Sequence, residues 1–234
     1  MLEMLPPALV LLAGALLIAV LRGRARDAAV LLTPLATLWL IWQVPNGVVF
    51  DVAFLDYRIE PLEGSPVRRL FATIFAIMAF VGGLYAFRQA KWYELAAAYA
   101  YAAGAVGVSF AGDLITLFLY WELMALFSTV VVWCGGTPEA RAAGVRYAIM
   151  HLAGGVILKV GIEGVVVHTG SIDIQPLLAT NFDTWMMLIG ILINAAAPPV
   201  SAWLADSYPN SSATGSVFLS AFTTKTAVLA LILL

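Results

Sequence analysis

Apolar residues run along this chain in long blocks, broken by short polar patches. That is the pattern of repeated membrane crossings, not of a half-buried soluble fold. A helix needs roughly 17–25 mostly apolar residues to span a bilayer, and long apolar runs with few or no charges mark the candidates. They are 4–21, closed by Arg22, Arg24 and Arg26; 28–44, ended by Pro45-Asn46-Gly47; 70–87; and 95–112. The rest are 113–133 with Asp113 as cap, 146–167, a seventh run starting after Asp183, and 213–234. Together they predict an all-α, polytopic membrane helix bundle of about eight transmembrane helices. The first run is read as a helix of the mature protein, because its positive charges follow the apolar stretch where a signal peptide places them before it. Residues 48–59 (VVFDVAFLDYRI) differ in kind. They are β-branched and aromatic, bounded by Asn46-Gly47 and Pro61, and predict a short extracellular strand or hairpin that covers the outer face.

Composition narrows the function classes. Of 234 residues, 62% are apolar and only 11% charged, against about 25% charged in a soluble domain; the mean hydropathy is +0.96. An ordinary soluble globule, a disordered chain and a nucleic-acid binder are excluded. Twelve Lys and Arg against fourteen Asp and Glu leave no basic patch for phosphates. The one cysteine, Cys134, makes neither an internal disulfide nor a cysteine-based metal site. No cofactor motif or nucleophile elbow occurs, so the expectation is no cofactor and no metal, with any redox chemistry in partner subunits. Loop charges set an orientation. One set of loops carries Arg22, Arg24, Arg26, Arg88, Lys91, Arg141 and Arg146, the other only Arg58, Arg68 and Arg69. The positive-inside rule puts the first set in the cytoplasm and both termini outside, in a bacterial-type inner membrane. The outer loops are acidic, with Asp51, Asp56, Glu60, Glu63, Asp113, Asp173 and Asp183.

Ionisable groups inside the apolar runs are the functional candidates, since each costs about 2.5–3.5 kcal/mol at the bilayer centre. Glu122 lies mid-run in ITLFLYWELMALFST, Lys159 and Glu163 in HLAGGVILKVGIEG, and Lys225 in LSAFTTKTAVLAL. Lys159 and Glu163, four apart, share a helix face and read first as a neutralising pair. Glu122 and Lys225 have no partner nearby in sequence and must find one on another helix or in water. His151, two turns before Lys159, is either a proton relay or an interhelical hydrogen-bond donor. The seventh run, INAAAPPVSAWLADSYPNSS, carries Pro198 and Pro199 within an apolar segment. Proline removes a helical hydrogen bond, and broken helices build ion sites in transporters, so a helix break running from Asn194 past Pro198 and Pro199 to Asp206 is expected. The alternative is a helix that ends at Pro198, with Trp203, Asp206 and Tyr208 interfacial. The Ala- and Gly-rich fourth run, and Gly154, Gly155, Gly161 and Gly164 in the sixth, predict tightly packed interior helices.

These residues carry a resemblance. DLITLFLYWELMALFS, with Glu122, resembles the fifth-helix motif of the antiporter-like subunits found in respiratory complex I and in multisubunit Mrp-type cation/proton antiporters. WLADSYPNSSATGSVFLSAFTTKTAVLAL resembles that family's broken seventh helix and its eighth, and RYAIMHLAGG…GIEGVVVHTGSI its sixth. The Ser207-Tyr208-Pro209 and Thr224-Lys225 steps are most similar to the Mrp D-type subunit. The resemblance covers about residues 90–234 and is loose before them. It implies a proton path in which Glu122 matches the family's fifth-helix glutamate and Lys225 its eighth-helix lysine. Two positions depart from the pattern. Asn194 stands where the family has a seventh-helix lysine, which leaves Lys159 as the candidate to supply positive charge, and Ala205 stands where it has a proline.

The resemblance divides the chain into residues 1–90, three N-terminal transmembrane helices with the strand-like loop, and 91–234, a five-helix antiporter-like unit. The family's second, inverted unit is absent, so a fragment or a second chain supplying that half is expected. The function implied is the proton-conducting subunit of an Mrp-type antiporter, working with other membrane subunits in a hetero-oligomer. The alternatives are a membrane-arm subunit of a complex I-like redox assembly and a non-conducting structural subunit.

Overall fold

The computed structural model describes residues 5–234; Met4, where the first predicted run begins, lies outside them. In chain order come α1 (Pro7–Val20), α2 (Gly23–Ile41), β1 (Gly47–Phe54), β2 (Tyr57–Gly64), α3 (Pro66–Tyr85), α4 (Trp92–Phe110), α5 (Leu114–Trp133), α6 (Pro138–Thr169), α7 (Phe182–Asn194), α8 (Ala202–Asn210), α9 (Ala213–Ala221) and α10 (Thr223–Leu233). The fold is a helix bundle of membrane-protein character. Four helical stretches among the described residues are long and apolar enough to cross a bilayer: α3, α5, α6, and α9 with α10. α1 and α7 are shorter apolar helices.

α4 is the axis of the bundle. From Leu95 to Phe110 all but one of its residues are buried, and α1, α3, α5 and α10 pack around it. Its small residues permit that closeness. A Cβ on Gly104 would lie 2.5 Å from Met124 of α5, and one on Gly107 would overlap Tyr120. Two of its buried large residues are phenols that bond to a neighbour: Tyr99 donates to the Val30 carbonyl of α2, and Tyr101 bonds to Thr223 at the start of α10. The α6–α7 contact is equally close, because Gly190 sits on the backbone of Leu158 and Gly161 on that of Met187.

β1 and β2 pair antiparallel, with Val52 opposite Ile59 and Phe54 opposite Tyr57. The strand runs past Pro61, where the sequence pattern predicts its end. Pro61 falls at a register irregularity between the Phe50–Leu62 and Val52–Ile59 pairs, where its missing N–H costs no ladder bond. Asp113, the N-cap of α5, ties the hairpin down by accepting from Thr116 N (2.8 Å) and Glu60 N (2.7 Å). The Glu60 side chain lies over Gly112. Partial burial raises its pKa above the ordinary carboxylate range, and the Asp173, Glu63, Asp113 and Asp51 charges raise it further. A raised folded-state pKa means the folded protein binds this proton more tightly than the unfolded chain. Stability from this group is therefore lost as pH rises from about the unperturbed value of 4.3 through the raised one. Glu60→Gln is expected to flatten that dependence and to slow amide exchange in the hairpin at neutral pH. An unchanged pH profile would contradict it.

The structure departs from the sequence reading in several places. α6 begins at Pro138, not near residue 146, since Thr137 caps it by accepting from Ala140 N, and proline suits a first helical position. Arg141 and Arg146, read as loop charges, therefore lie on a helix. The last run is not continuous: it breaks at Phe222 (φ −114°, ψ −66°) into α9 and α10. Arg68, also read as a loop charge, is buried in the first turn of α3, at 3% exposure.

Candidate functional site

The candidate residues lie along α5, α6 and the interrupted α7–α8 segment. α7 stops at Asn194, residues 195–201 run as turns through Pro198 and Pro199, and the helix resumes at Ala202. The interruption frees backbone groups. The Ile193 carbonyl accepts from the indole of Trp203 at 2.9 Å. Asp206, further along α8, takes a two-pronged contact from Arg146 of α6 at 2.8 and 2.9 Å.

Glu122 projects from α5 against Gly155 of α6, where a Cβ would collide with its carboxylate oxygen. Gly155 thus makes room for the charge. Glu122 Oε1 is buried without a hydrogen-bond partner. The carboxyl lines a groove of about 420 Å³ with Thr129 and Trp133 of α5 and Ala148 and Leu152 of α6.

His151, one turn before Gly155, is 1% exposed. Its Nδ1 bonds to Asn194 Oδ1 across the α6–α7 contact. The ring stacks on Tyr147 (centroids 4.0 Å apart, 36°) and meets the Trp203 edge (4.7 Å, 73°). Tyr147 donates to Ser128 Oγ of α5 at 3.0 Å.

The remaining charges point elsewhere. Lys159 and Glu163 form their ion pair, but on the outward face of α6, with side chains 41% and 58% exposed. Lys159 also lies over the Phe118 ring, 5.8 Å from its centroid. Lys225, just past the break at Phe222, is exposed and donates back to the Ser220 carbonyl. Among the described residues neither lysine makes an ion pair with Glu122. The structure therefore brings together His151 with Asn194, Lys159 with Glu163, and Arg146 with Asp206, and leaves Glu122 and Lys225 apart.

Two polar centres escape a reading of the sequence. Glu94, 3% exposed in the first turn of α4, accepts from Ser212 and Thr214 at the start of α9. Its place at the head of the small-residue run is the available signal, since a helix buried on all sides buries its first turn as well. Trp203 and Tyr147, which enclose His151, carry no local signal: they lie 56 positions apart in sequence.

The family described as "NADH:quinone oxidoreductase/Mrp antiporter, TM" matches residues 111–234, just over half the chain. NADH-quinone oxidoreductase subunit M of Pseudomonas aeruginosa is 29% identical over 148 residues, covering 55% of this chain and 29% of that protein. A Na(+)/H(+) antiporter subunit of Alkalihalophilus pseudofirmus is 23% identical over 209 residues, covering 81% of this chain and 39% of that one. Among solved structures, a chain of the membrane-bound sulfane sulfur reductase, an archaeal respiratory membrane complex, superposes with a TM-score of 0.87 at 22% identity, over 99% of this chain and 40% of that one. This chain spans 29% and 39% of the length of the two curated relatives.

Proposed function

Because the chain belongs to the NADH:quinone oxidoreductase/Mrp antiporter transmembrane family, we propose that it is the proton-conducting subunit of an Mrp-type monovalent cation/proton antiporter. The observation that carries this is Glu122: a carboxyl deep in an apolar helix, seated on a glycine, with one oxygen unbonded and no counter-ion among the described residues. A structural carboxylate at that depth would be paired; an unpaired one is free to take up and release a proton. The α7–α8 interruption supports the same reading, since non-helical backbone at membrane depth belongs beside water or protein.

In this reading the segments α1 to α6, α7 with α8, and α9 with α10 make about eight crossings. The arginine-rich connections and helix ends face the cytoplasm, both termini face outward, and the hairpin covers the outer face of a bacterial-type inner membrane. Residues 1–90 form the N-terminal helices and 91–234 the antiporter-like unit. Glu122 and Lys225 are proton stations, with Lys159, Glu163 and His151 along the way. Lys225 and Glu163 are exposed and Lys159 half-buried on the surface of this chain, which supports a hetero-oligomer whose other membrane subunits cover them.

A second reading, a membrane-arm subunit of a complex I-like redox assembly, is favoured by the likeness to NADH-quinone oxidoreductase subunit M. Membrane vesicles carrying the whole complex separate the two. The antiporter reading expects a pre-formed pH gradient to collapse on addition of Na⁺ or K⁺ with no electron donor present. A gradient that responds only to an electron donor would overturn it in favour of the redox assembly.

A further inference from the structure

We propose that His151 accepts the proton that Glu122 releases, and that Asn194 is the positioning residue that keeps His151 in the tautomer able to do so. The inference rests on the proton-conducting reading and names the next group on that path.

The hydrogen-bond network assigns the tautomer. Asn194 Nδ2 points to the Gly190 carbonyl, one turn back on α7, at 3.5 Å. Its Oδ1 is thereby turned to His151 Nδ1. An amide oxygen only accepts, so Nδ1 must carry the hydrogen, and Nε2 keeps its lone pair. That Nε2 is buried and has no hydrogen-bond partner. The ring is held against rotation by Tyr147 on its face and Trp203 at its edge, both fixed by their own bonds to Ser128 Oγ and the Ile193 carbonyl. A histidine kept only for packing would have no need of a fixed tautomer with an idle base.

The acid lies one turn away. Residues four apart on a helix are separated by about 5–6 Å on one face, and His151 and Gly155 stand in that relation. Glu122 Oε1 rests on Gly155 and is likewise buried and unbonded. In the proposed relay one bridging water sits between these two unbonded atoms, each of which offers it a polar partner. The transfer balances without any co-reactant. The O–H bond of the Glu122 carboxyl breaks, the water takes that proton and gives up another, and an Nε2–H bond forms. The products are a carboxylate and an imidazolium, whose opposite charges stabilise one another.

The other titratable groups around His151 are few. α6 itself contributes Tyr147 and α8 Tyr208, which meets Trp203 at 6.1 Å. Of the charged groups on the packing elements, Arg146 is bound to Asp206, Lys159 to Glu163, and Asp183 of α7 to His168. Among the described residues, Glu122 of α5 is the charged group on the elements packed against α6 that no ion pair holds.

The test uses the assembled complex with ¹⁵N-labelled histidine, the His151 signals being assigned by their loss in His151→Gln. At neutral pH Nδ1 is expected to be protonated and Nε2 to resonate as a bare imine-type nitrogen. Asn194→Leu should abolish that preference and Asn194→Asp keep it. An Nε2–H tautomer in the parent protein would overturn the proposal. In vesicles, His151→Gln keeps a donor for Asn194 but takes up no proton, and is expected to lower the proton-transfer rate about 100-fold. A parental rate in His151→Gln, with Glu122→Gln inactive, rejects the relay alone. Activity in Glu122→Gln rejects the proton-conducting reading itself.

Discussion

Glu122→Gln is expected to leave the complex assembled and to abolish its proton-coupled transport. Glutamine has the same shape, and Glu122 Oε1 makes no hydrogen bond that the amide would lose. The side chain still fills the space over Gly155. Insertion becomes easier, since a charge costing about 2.5–3.5 kcal/mol at mid-membrane is removed. What disappears is the proton-exchanging group itself. Glu122→Asp keeps that group one methylene further from Gly155, and should retain part of the rate. The measurement is pH-gradient dissipation in vesicles, with subunit stoichiometry checked on the same preparation. Full activity in Glu122→Gln at normal assembly would leave this chain a packing role only.

Arg68→Met is expected to produce the largest loss of stability. The guanidinium is 3% exposed and holds three elements at once. It pairs with Glu63 of β2 at 2.6 Å, and it donates to the Ser109 carbonyl at 3.4 Å and to that of Ala111, where α4 ends. Methionine fills much of the volume but leaves the carbonyls and the carboxylate without a donor. Removing one partner of a buried ion pair costs about 3–5 kcal/mol, and Glu63, being partly exposed, puts the figure near the lower end. Glu63→Gln should cost less than half as much, because Arg68 keeps both carbonyls. Denaturant unfolding in detergent reads the difference. Equal losses in the two variants would mean that the ion pair, and not the carbonyl clamp, holds the hairpin to the bundle.

These two residues are not equally visible in the sequence. Glu122 announces itself, because a lone carboxylate inside an apolar run has no innocent explanation at that depth. Arg68 sits among Arg69, Glu63 and Glu60, and in a linear reading is one more loop charge. Only the descent of β2 onto the α4–α5 turn buries it. Lys159 shows the converse. Its position in a glycine-rich run suggests an inward charge for Glu122, yet the helix turns it outward to Glu163 and the Phe118 ring. A run that is apolar on all sides carries no amphipathic phase, so periodicity cannot say which face is inside.

By itself, then, the sequence determined the solvent, the class and the candidates. Apolar blocks of bilayer length demand a membrane helix bundle, small residues in the fourth and sixth runs demand close packing, and Pro198 and Pro199 demand a break in the helix or its end. Each of these follows from short-range chemistry: hydrophobic length, side-chain size and a missing N–H. Tertiary structure decided which candidates meet. The His151–Asn194 bond, the Tyr147–Trp203 enclosure and the seat of Glu122 on Gly155 all join residues from different helices. Their distances depend on how each helix is rotated about its axis, and that rotation is set by the fit of many small contacts along α4, α6 and α7 rather than by any one residue.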